Sequence, residues 1–207
     1  EIVASALYFE NWELISSQLA YGAAGPDSSP LQHFWSLSVQ GQFFLAWPLI
    51  FLVCGAVALF AKTNLRYTLL AVTLVPTTAS MIHAFWMAQI DQPVAHLNTF
   101  TRFWQLGLGA LIAFLPMRLP IPNWMRETLI WTGIGMIVLC GFIIDGGTLF
   151  PGPYALWPVI AIILVFVGTR GMQHESSAAR LLTFQPFPFL STISYQLYLW
   201  HWPILVF

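Results

Sequence analysis

The chain has 207 residues, of which 58% are hydrophobic and only 7% carry a charge, and its mean hydropathy is +0.74. A soluble globular domain carries about 25% charged residues, so this composition argues against a soluble fold and indicates a membrane protein. The formal net charge of −1 offers no excess of positive charge to a nucleic-acid backbone, and we expect no nucleic-acid partner.

Both ends of the sequence look truncated. The chain starts at Glu1 without a Met or a signal peptide, and it ends at Phe207 inside an apolar run without a helix stop signal. We therefore expect a piece of a longer protein. The two cysteines, Cys54 and Cys140, lie in apolar runs, and no spacing typical of a metal site occurs, so no metal is expected.

The predicted fold class is all-α, a polytopic transmembrane helical bundle. Residues 1–20 show a helical pattern with Glu10 and Glu13 in its middle, which predicts a partial or interfacial helix. A loop rich in Gly, Pro and Ser follows at 21–33. Six apolar segments then approach the length of about 20 residues that crosses a membrane: 43–61, 67–90, 98–117, 127–144, 153–169 and 188–207.

The basic residues predict the orientation of this bundle. The second and fourth connections between the spans contain no Lys or Arg. We expect the bundle to lie in the cytoplasmic (inner or plasma) membrane. By the positive-inside rule the other three connections face the cytoplasm, which leaves the loop at 21–33 and the end at Phe207 on the extracytoplasmic side. Six of the seven basic residues lie in those three connections: Lys62, Arg66, Arg118, Arg126, Arg170 and Arg180.

Arg102 is the exception, because it lies at the predicted outer end of the third span. On a helix it shares one face with Asn98, Gln105 and Gly109. An Arg in this place either contacts a partner or a ligand, or it anchors the helix by reaching to the interface. Both interpretations stay open at this point.

Two further polar stripes enter apolar segments. Trp35, Ser38 and Gln42 have the spacing i, i+3, i+7 at the start of the first span, and His33 precedes them in the outer loop. Such stripes are costly in lipid, and they usually face the bundle or a wet cavity.

The last span carries the second stripe, formed by Ser194, Tyr198 and His201 at i, i+4, i+7. We expect His201 to face the bundle, because its ring nitrogens need partners. The alternative is an anchor beside Trp200 and Trp202 in an interfacial aromatic belt.

Four segments resemble the acyltransferase-3 family, integral membrane enzymes that move acyl groups onto extracytoplasmic glycans. In chain order they are SPLQHFWSLSVQGQFFLAWP, TFTRFWQLGLGAL, LFPGPYALWP and ISYQLYLWHWPILVF. Because they cover nearly the whole chain, we interpret residues 1–207 as part of one acyltransferase-3-like membrane domain. The resemblance is closest to members that carry an SGNH-type domain after the bundle.

Three carboxylates of the family's pattern are missing from this chain. Gln40, Gly41 and Gln105 stand at their positions. Gln keeps the hydrogen bonds of a Glu, but it cannot accept a proton or compensate an Arg charge. The family's proposed catalytic His lies upstream of anything matched here, so the catalytic residue is unknown and residues 1–207 alone are expected to be inactive.

The resemblance implies an O-acyltransferase of the cell envelope. It would move an acyl group, often acetyl, from cytoplasmic acyl-CoA to a hydroxyl of a glycan or glycolipid, such as lipopolysaccharide or a cell-wall glycan. The expected partners are membrane lipid, that acceptor, and an SGNH-type domain in the full-length chain. The candidate site-lining residues are His33, Trp35, Ser38, Gln42, Arg102, Gln105, Ser194, Tyr198 and His201.

Two alternatives use the same residues. A transporter or flippase of an envelope precursor would use the polar stripes for passage without chemistry, and it would show further broken helices in an inverted repeat. An inactive remnant of the enzyme would explain the missing carboxylates as lost activity.

Overall fold

The computed structural model describes residues 2–17, 31–116, 119–145, 149–172 and 176–206. Within these ranges the chain forms helices and turns and no β-strand, which confirms the all-α prediction. Most of the predicted loop at 21–33, Arg118 and the two terminal residues lie outside the described ranges.

The chain divides into two compact units, Glu1–Phe114 with Gly147–Pro153, and Leu115–Gly146 with Tyr154–Phe207. Helices α1 to α6 of the first unit are Ile2–Ala6, Glu10–Ser16, Trp35–Phe60, Leu65–Ile90, Gln92–Leu97 and Thr99–Ala113. Helices α7 to α10 of the second unit are Asn123–Ile143, Leu156–Thr169, Ser177–Thr183 and Pro186–Val206.

Each predicted span corresponds to one helix, namely α3, α4, α6, α7, α8 and α10. Among the described residues, three helical segments are long and apolar enough to cross a membrane: Gln32–Phe60, Leu65–Ile90 and Asn123–Ile143. Helices α6 and α8 are shorter than predicted, with 15 and 14 residues. That all six cross the membrane therefore stays a prediction.

Helix α6 begins where predicted and is short at its carboxyl end, where Phe114 is the C-cap; its start has a local cause. Asn98 caps its first turn, since its Oδ1 accepts a hydrogen bond from the backbone N–H of Phe100 at 2.8 Å. The residues before this cap form the separate helix α5, which is capped by Asp91 through the N–H of Val94 at 3.1 Å. The segment between α4 and α6 is thus an ordered helical connection.

The N-terminal segment differs from its prediction. Instead of one partial helix it forms two short ones, α1 and α2. The break lies at Tyr8, whose φ of 57° is in the left-handed region, a conformation that a helix of L-residues cannot continue. The break turns α2, with Glu10, toward α3.

In the first unit α6 packs against α4. Trp104 is fully buried between them, and its ring lies edge-on to Phe85 with 5.9 Å between the centroids. Ser80 on α4 donates to the carbonyl of Phe100 and accepts the N–H of Trp104 at 2.9 Å. A buried hydroxyl with both roles filled stabilises this packing.

In the second unit α7 packs against α8. A Cβ at Gly133 would lie 2.6 Å from the carbonyl oxygen of Ala161, so only glycine permits this approach. At the other end of the same helix pair, the buried Arg126 donates to the carbonyl of Arg170 at 2.7 Å and to that of Leu119 at 2.8 Å. A guanidinium at the carboxyl end of α8 compensates the helix dipole.

Large apolar side chains are exposed along α3, α4, α7 and α10. Patches of this extent are unusual on soluble monomers. Together with the three long apolar helices, they are the features of a membrane protein.

Candidate functional site

The predicted stripe on α3 contacts three neighbouring elements of the first unit. Trp35 lies against Arg102 and His96, Ser38 bonds to the start of α2, and Gln42 bonds to both α2 and α6. The stripe is therefore the side of α3 that other elements of this unit cover.

Trp35, His96 and Arg102 form a cluster that we call the Trp–His–Arg cluster. The Arg102 guanidinium carbon lies 5.3 Å from the centroid of the Trp35 ring, which is within the range of a cation–π interaction. Arg102 Nε donates to the backbone carbonyl of His96 at 2.9 Å, and the His96 ring lies 5.0 Å from the Trp35 ring. The cation–π contact and the hydrogen bond together hold the guanidinium in place.

The LFPG segment joins this cluster. The carbonyl oxygen of Phe150 accepts a hydrogen bond from Gln92 Nε2 at 2.7 Å and lies 3.4 Å from Nδ1 of His96. Three of the four segments that carry the family resemblance therefore meet at one place, and His96 contacts all three.

His96 is buried and lies in α5, outside the three candidate membrane spans. Burial is the main cause that lowers its pKa from 6.5 to about 4, the positive charge of Arg102 adds to this, and the contact with Phe150 opposes it. The ring is therefore neutral at pH 7, with one donor and one acceptor nitrogen. The only charge in the cluster is that of Arg102.

Gln42 holds α2, α3 and α6 together. Its Oε1 accepts from Thr99 Oγ1 at 2.6 Å, and its Nε2 donates to the Tyr8 carbonyl at 2.8 Å and to Asn11 Oδ1 at 2.9 Å. Asn11 Nδ2 in turn donates to Thr99 Oγ1 at 2.9 Å and to the Leu97 carbonyl at 3.2 Å. Because protein groups engage both ends of this amide, Gln42 positions the helices around the cluster rather than presenting its amide to a ligand.

Ser38 and Glu10 are buried next to this network. The backbone N–H of Glu10 donates to Ser38 Oγ at 3.2 Å, and its carboxylate accepts from Ser5 Oγ at 2.9 Å. Glu10 and Asn11 were missed as site residues, although two polar residues in an apolar helical pattern were a usable signal.

The structure explains one missing carboxylate. The ring of Tyr8 lies where a Cβ at Gly41 would be. A Glu at this position would displace that ring and with it the Tyr8 carbonyl that Gln42 binds. Gly41 and Tyr8 therefore fit each other in this chain.

His33 and Gln105 are close in sequence to Trp35 and Arg102 of the cluster. His33 is buried in the turn before α3, with its ring 4.6 Å from that of Phe34. Gln105 is half-buried on α6, three residues after Arg102. The described residues contain no group of three or more His, Cys, Asp or Glu placed to hold a metal ion.

Ser194, Tyr198 and His201 belong to the second unit, on α10. Ser194 Oγ donates to the Ser191 carbonyl at 2.8 Å, and His201 Nδ1 lies 2.6 Å from the Tyr198 carbonyl. Both Ser194 and His201 are exposed among the described residues, and that His201 faces the rest of the bundle stays a prediction. The Tyr198 carbonyl, in the same helix, lies within hydrogen-bond distance of the His201 ring.

Comparisons with known proteins support the resemblance to the acyltransferase-3 family. A family model described as "Acyltransferase domain" (Acyl_transf_3) matches residues 2–207. No solved structure matches the chain.

Three relatives illustrate the similarity. The "Putative peptidoglycan O-acetyltransferase YrhL" of Bacillus subtilis is 30% identical over 217 residues, which cover 100% of this chain and 33% of the relative. The "O-acetyltransferase OatA" of Staphylococcus aureus is 27% identical, covering 100% of this chain and 34% of the relative. The "Peptidoglycan O-acetyltransferase OatA" of Listeria monocytogenes is also 27% identical, covering 99% and 33%. The chain spans about a third of the length of these curated relatives. Since the family model covers nearly every residue, the chain belongs to the acyltransferase-3 family.

Proposed function

We propose that this chain forms part of an O-acetyltransferase that moves an acetyl group from cytoplasmic acetyl-CoA to a hydroxyl of an extracytoplasmic glycan. Membership of the family supports acyl transfer, and the names of the relatives favour an acetyl group and peptidoglycan as the acceptor. The enzyme would lie in the cytoplasmic membrane with its Lys- and Arg-rich connections inside. An SGNH-type domain elsewhere in the protein stays part of this proposal.

The Trp–His–Arg cluster is the observation that carries the proposal. In acyl transfer the acceptor oxygen bonds to the carbonyl carbon as the bond to the thiolate breaks, and negative charge develops on the carbonyl oxygen. A donor fixed in advance stabilises that charge without reorganising. Arg102 is held by Trp35 and by the His96 carbonyl, at the predicted outer end of its span, where the glycan acceptor would approach.

The remaining parts of the reaction are divided between the cluster and other regions. The neutral ring of His96 can orient a hydroxyl, and the face of Trp35 can stack on a sugar. The resemblance puts the proton acceptor outside residues 1–207, so these residues alone would not transfer acetyl groups. Ser194, Tyr198 and His201 stay proposed lining residues of the second unit, where Ser194 and His201 are exposed and Tyr198 is half-buried.

Substitution of Arg102 in the complete gene product tests the proposal. Arg102→Lys keeps the charge but loses the planar guanidinium, with the Nε–H that donates to the His96 carbonyl. We expect it to lower the rate of glycan acetylation by about 10²-fold, the effect of removing one fixed oxyanion donor. Base-released acetate from isolated cell envelopes measures the product.

Arg180→Lys is the matched control, because Arg180 is exposed at the end of α9, and it should acetylate at the wild-type rate. Membrane levels of each variant are compared by immunoblot. Wild-type acetylation by Arg102→Lys and Arg102→Ala would show that Arg102 is an interfacial anchor.

A further inference from the structure

An apolar groove of about 280 Å³ lies between α3 and α4 of the first unit, away from the Trp–His–Arg cluster. Its walls include Val53, Cys54 and Val57 on α3 and Thr68 and Val72 on α4. Both helices are long and apolar enough to cross a membrane, so the groove faces the region that lipid chains fill.

The groove is suited to an extended hydrocarbon chain. From Leu49 to Val57 it follows α3 over eight residues, or roughly 12 Å at the helical rise. The one hydroxyl on its wall is engaged, since Thr68 Oγ1 donates to the Asn64 carbonyl at 3.2 Å and lies 3.0 Å from Thr63 Oγ1. The groove therefore offers apolar contacts and no group that requires water.

Positive charge marks one end of this groove. Val57 is followed five residues later by Lys62, in the turn that joins α3 to α4, and Lys62 is exposed. Arg66 is the other basic residue of 43–90, a segment without Asp or Glu, and its Nη2 donates to the Phe114 carbonyl at 2.8 Å. Lys62 is thus the cation best placed to meet an anion at the groove's end.

We propose that the groove binds one acyl chain of an anionic phospholipid, with the lipid phosphate at Lys62. The apolar walls select the chain. The positive charge of Lys62 selects the headgroup, since residues 43–90 contain no carboxylate that would compensate it. This site is independent of acyl transfer and would hold even if the proposed reaction were wrong.

Lipid titration of the delipidated, detergent-solubilised protein tests the proposal, with native mass spectrometry to count bound lipid. Phosphatidylglycerol should bind about fivefold more tightly than phosphatidylcholine of the same chains, the effect of one Lys near an anionic headgroup. Lys62→Gln should remove this preference and leave phosphatidylcholine binding unchanged.

Val53→Trp fills the groove and should weaken both lipids by about tenfold or more, because each excluded methylene costs about fourfold. Leu52→Trp is its matched control, since Leu52 is 70% exposed and Val53 62%, but only Val53 lines the groove. Val57→Phe is a second variant that fills the groove, at the end near the turn, and it should also weaken both lipids. With two variants, a folding defect in one of them does not decide the result.

Equal binding of the two lipids by the wild type would overturn the headgroup assignment. Equal lipid affinity of Val53→Trp and Leu52→Trp would overturn the groove. Palmitoyl-CoA and unlabelled phosphatidylglycerol are also compared as competitors for bound phosphatidylglycerol. If palmitoyl-CoA displaces it at the lower concentration, the groove binds the acyl chain of an acyl donor, which would count against the proposal.

Discussion

At the scale of single residues, one charged group contacts an aromatic ring and a backbone carbonyl. Arg102 stacks on Trp35 and bonds to the His96 carbonyl, while the His96 ring stays neutral because burial and Arg102 lower its pKa to about 4. A second positive charge at His96 would repel Arg102 inside the cluster. Protonation of His96 should therefore lower the stability of the first unit.

We predict that acid destabilises the first unit through His96. The unfolded chain binds a proton to this ring below pH 6.5, whereas the folded chain does so only near pH 4. The free energy of unfolding is thus unaffected above pH 6.5 and falls as the pH drops from 6.5 to 4, by about 3 kcal/mol in total. Thermal melting in detergent across this range measures the effect.

His96→Gln is the control for this prediction, since its amide keeps a donor for the Phe150 carbonyl but does not titrate. The variant should lose less stability between pH 6.5 and 4 than the wild type does. Carboxylates titrate equally in both proteins, so an identical pH dependence of melting would show that His96 does not contribute.

At the scale of helices, close packing and end-capping fix the elements within each unit. The described arginines of the predicted cytoplasmic connections include three that bond to carbonyls near helix ends: Arg66, Arg126 and Arg170. These residues are predicted from charge alone as topological signals. The structure adds that they satisfy backbone acceptors which a helix end leaves without partners.

Two glycines on α7 allow a matched test of helix packing. Gly133→Ala should destabilise the second unit by about 1–3 kcal/mol, because the new methyl group would meet the Ala161 carbonyl and the Val165 side chain. A Cβ at Gly135 would have no atom within 4 Å. Gly135→Ala should therefore be neutral, or stabilise the helix by up to about 1 kcal/mol because Ala has the higher helix propensity. Thermal melting in detergent compares the two; equal melting temperatures would contradict the packing of α7 on α8.

At the scale of the whole molecule, charge and hydropathy predict the orientation in the membrane. Within the part of the chain that the structure describes, three helices are long and apolar enough to cross a bilayer, and large apolar side chains are exposed along several helices. The distribution of Lys and Arg then predicts which connections face the cytoplasm. Orientation can be measured without knowledge of the reaction.

We expect single cysteines at Gln89 and Asp145 to react with a membrane-impermeant maleimide in intact cells. Cysteines at Ala61 and Asn123 should react only after lysis, because the positive-inside rule puts their connections in the cytoplasm. All four positions are exposed, and they avoid the capping side chains of Asn64 and Asp91. Cys54 and Cys140 are first replaced by Ser; equal labelling of all four sites would refute the orientation.

Much of the fold could be predicted because its signals are local. Apolar runs and helix-breaking residues predicted a helix in each of the six spans, and the spacing of Trp35, Ser38 and Gln42 predicted that they share one face. The outer position of Arg102 left two interpretations open, a partner or ligand and an interfacial anchor, and the structure gives it Trp35 and the His96 carbonyl as partners. These predictions need only helical periodicity and the cost of polar groups in lipid.

The tertiary structure alone decided which distant residues meet. Asn11 bonds to Leu97 across 86 positions of the chain, and Gln92 bonds to Phe150 across 58. No local pattern encodes such pairs, because a hydrogen-bond partner is chosen by how helices pack and not by spacing along one of them. For the same reason the sequence does not predict that His96, in a short connecting helix, contacts Trp35 and Phe150.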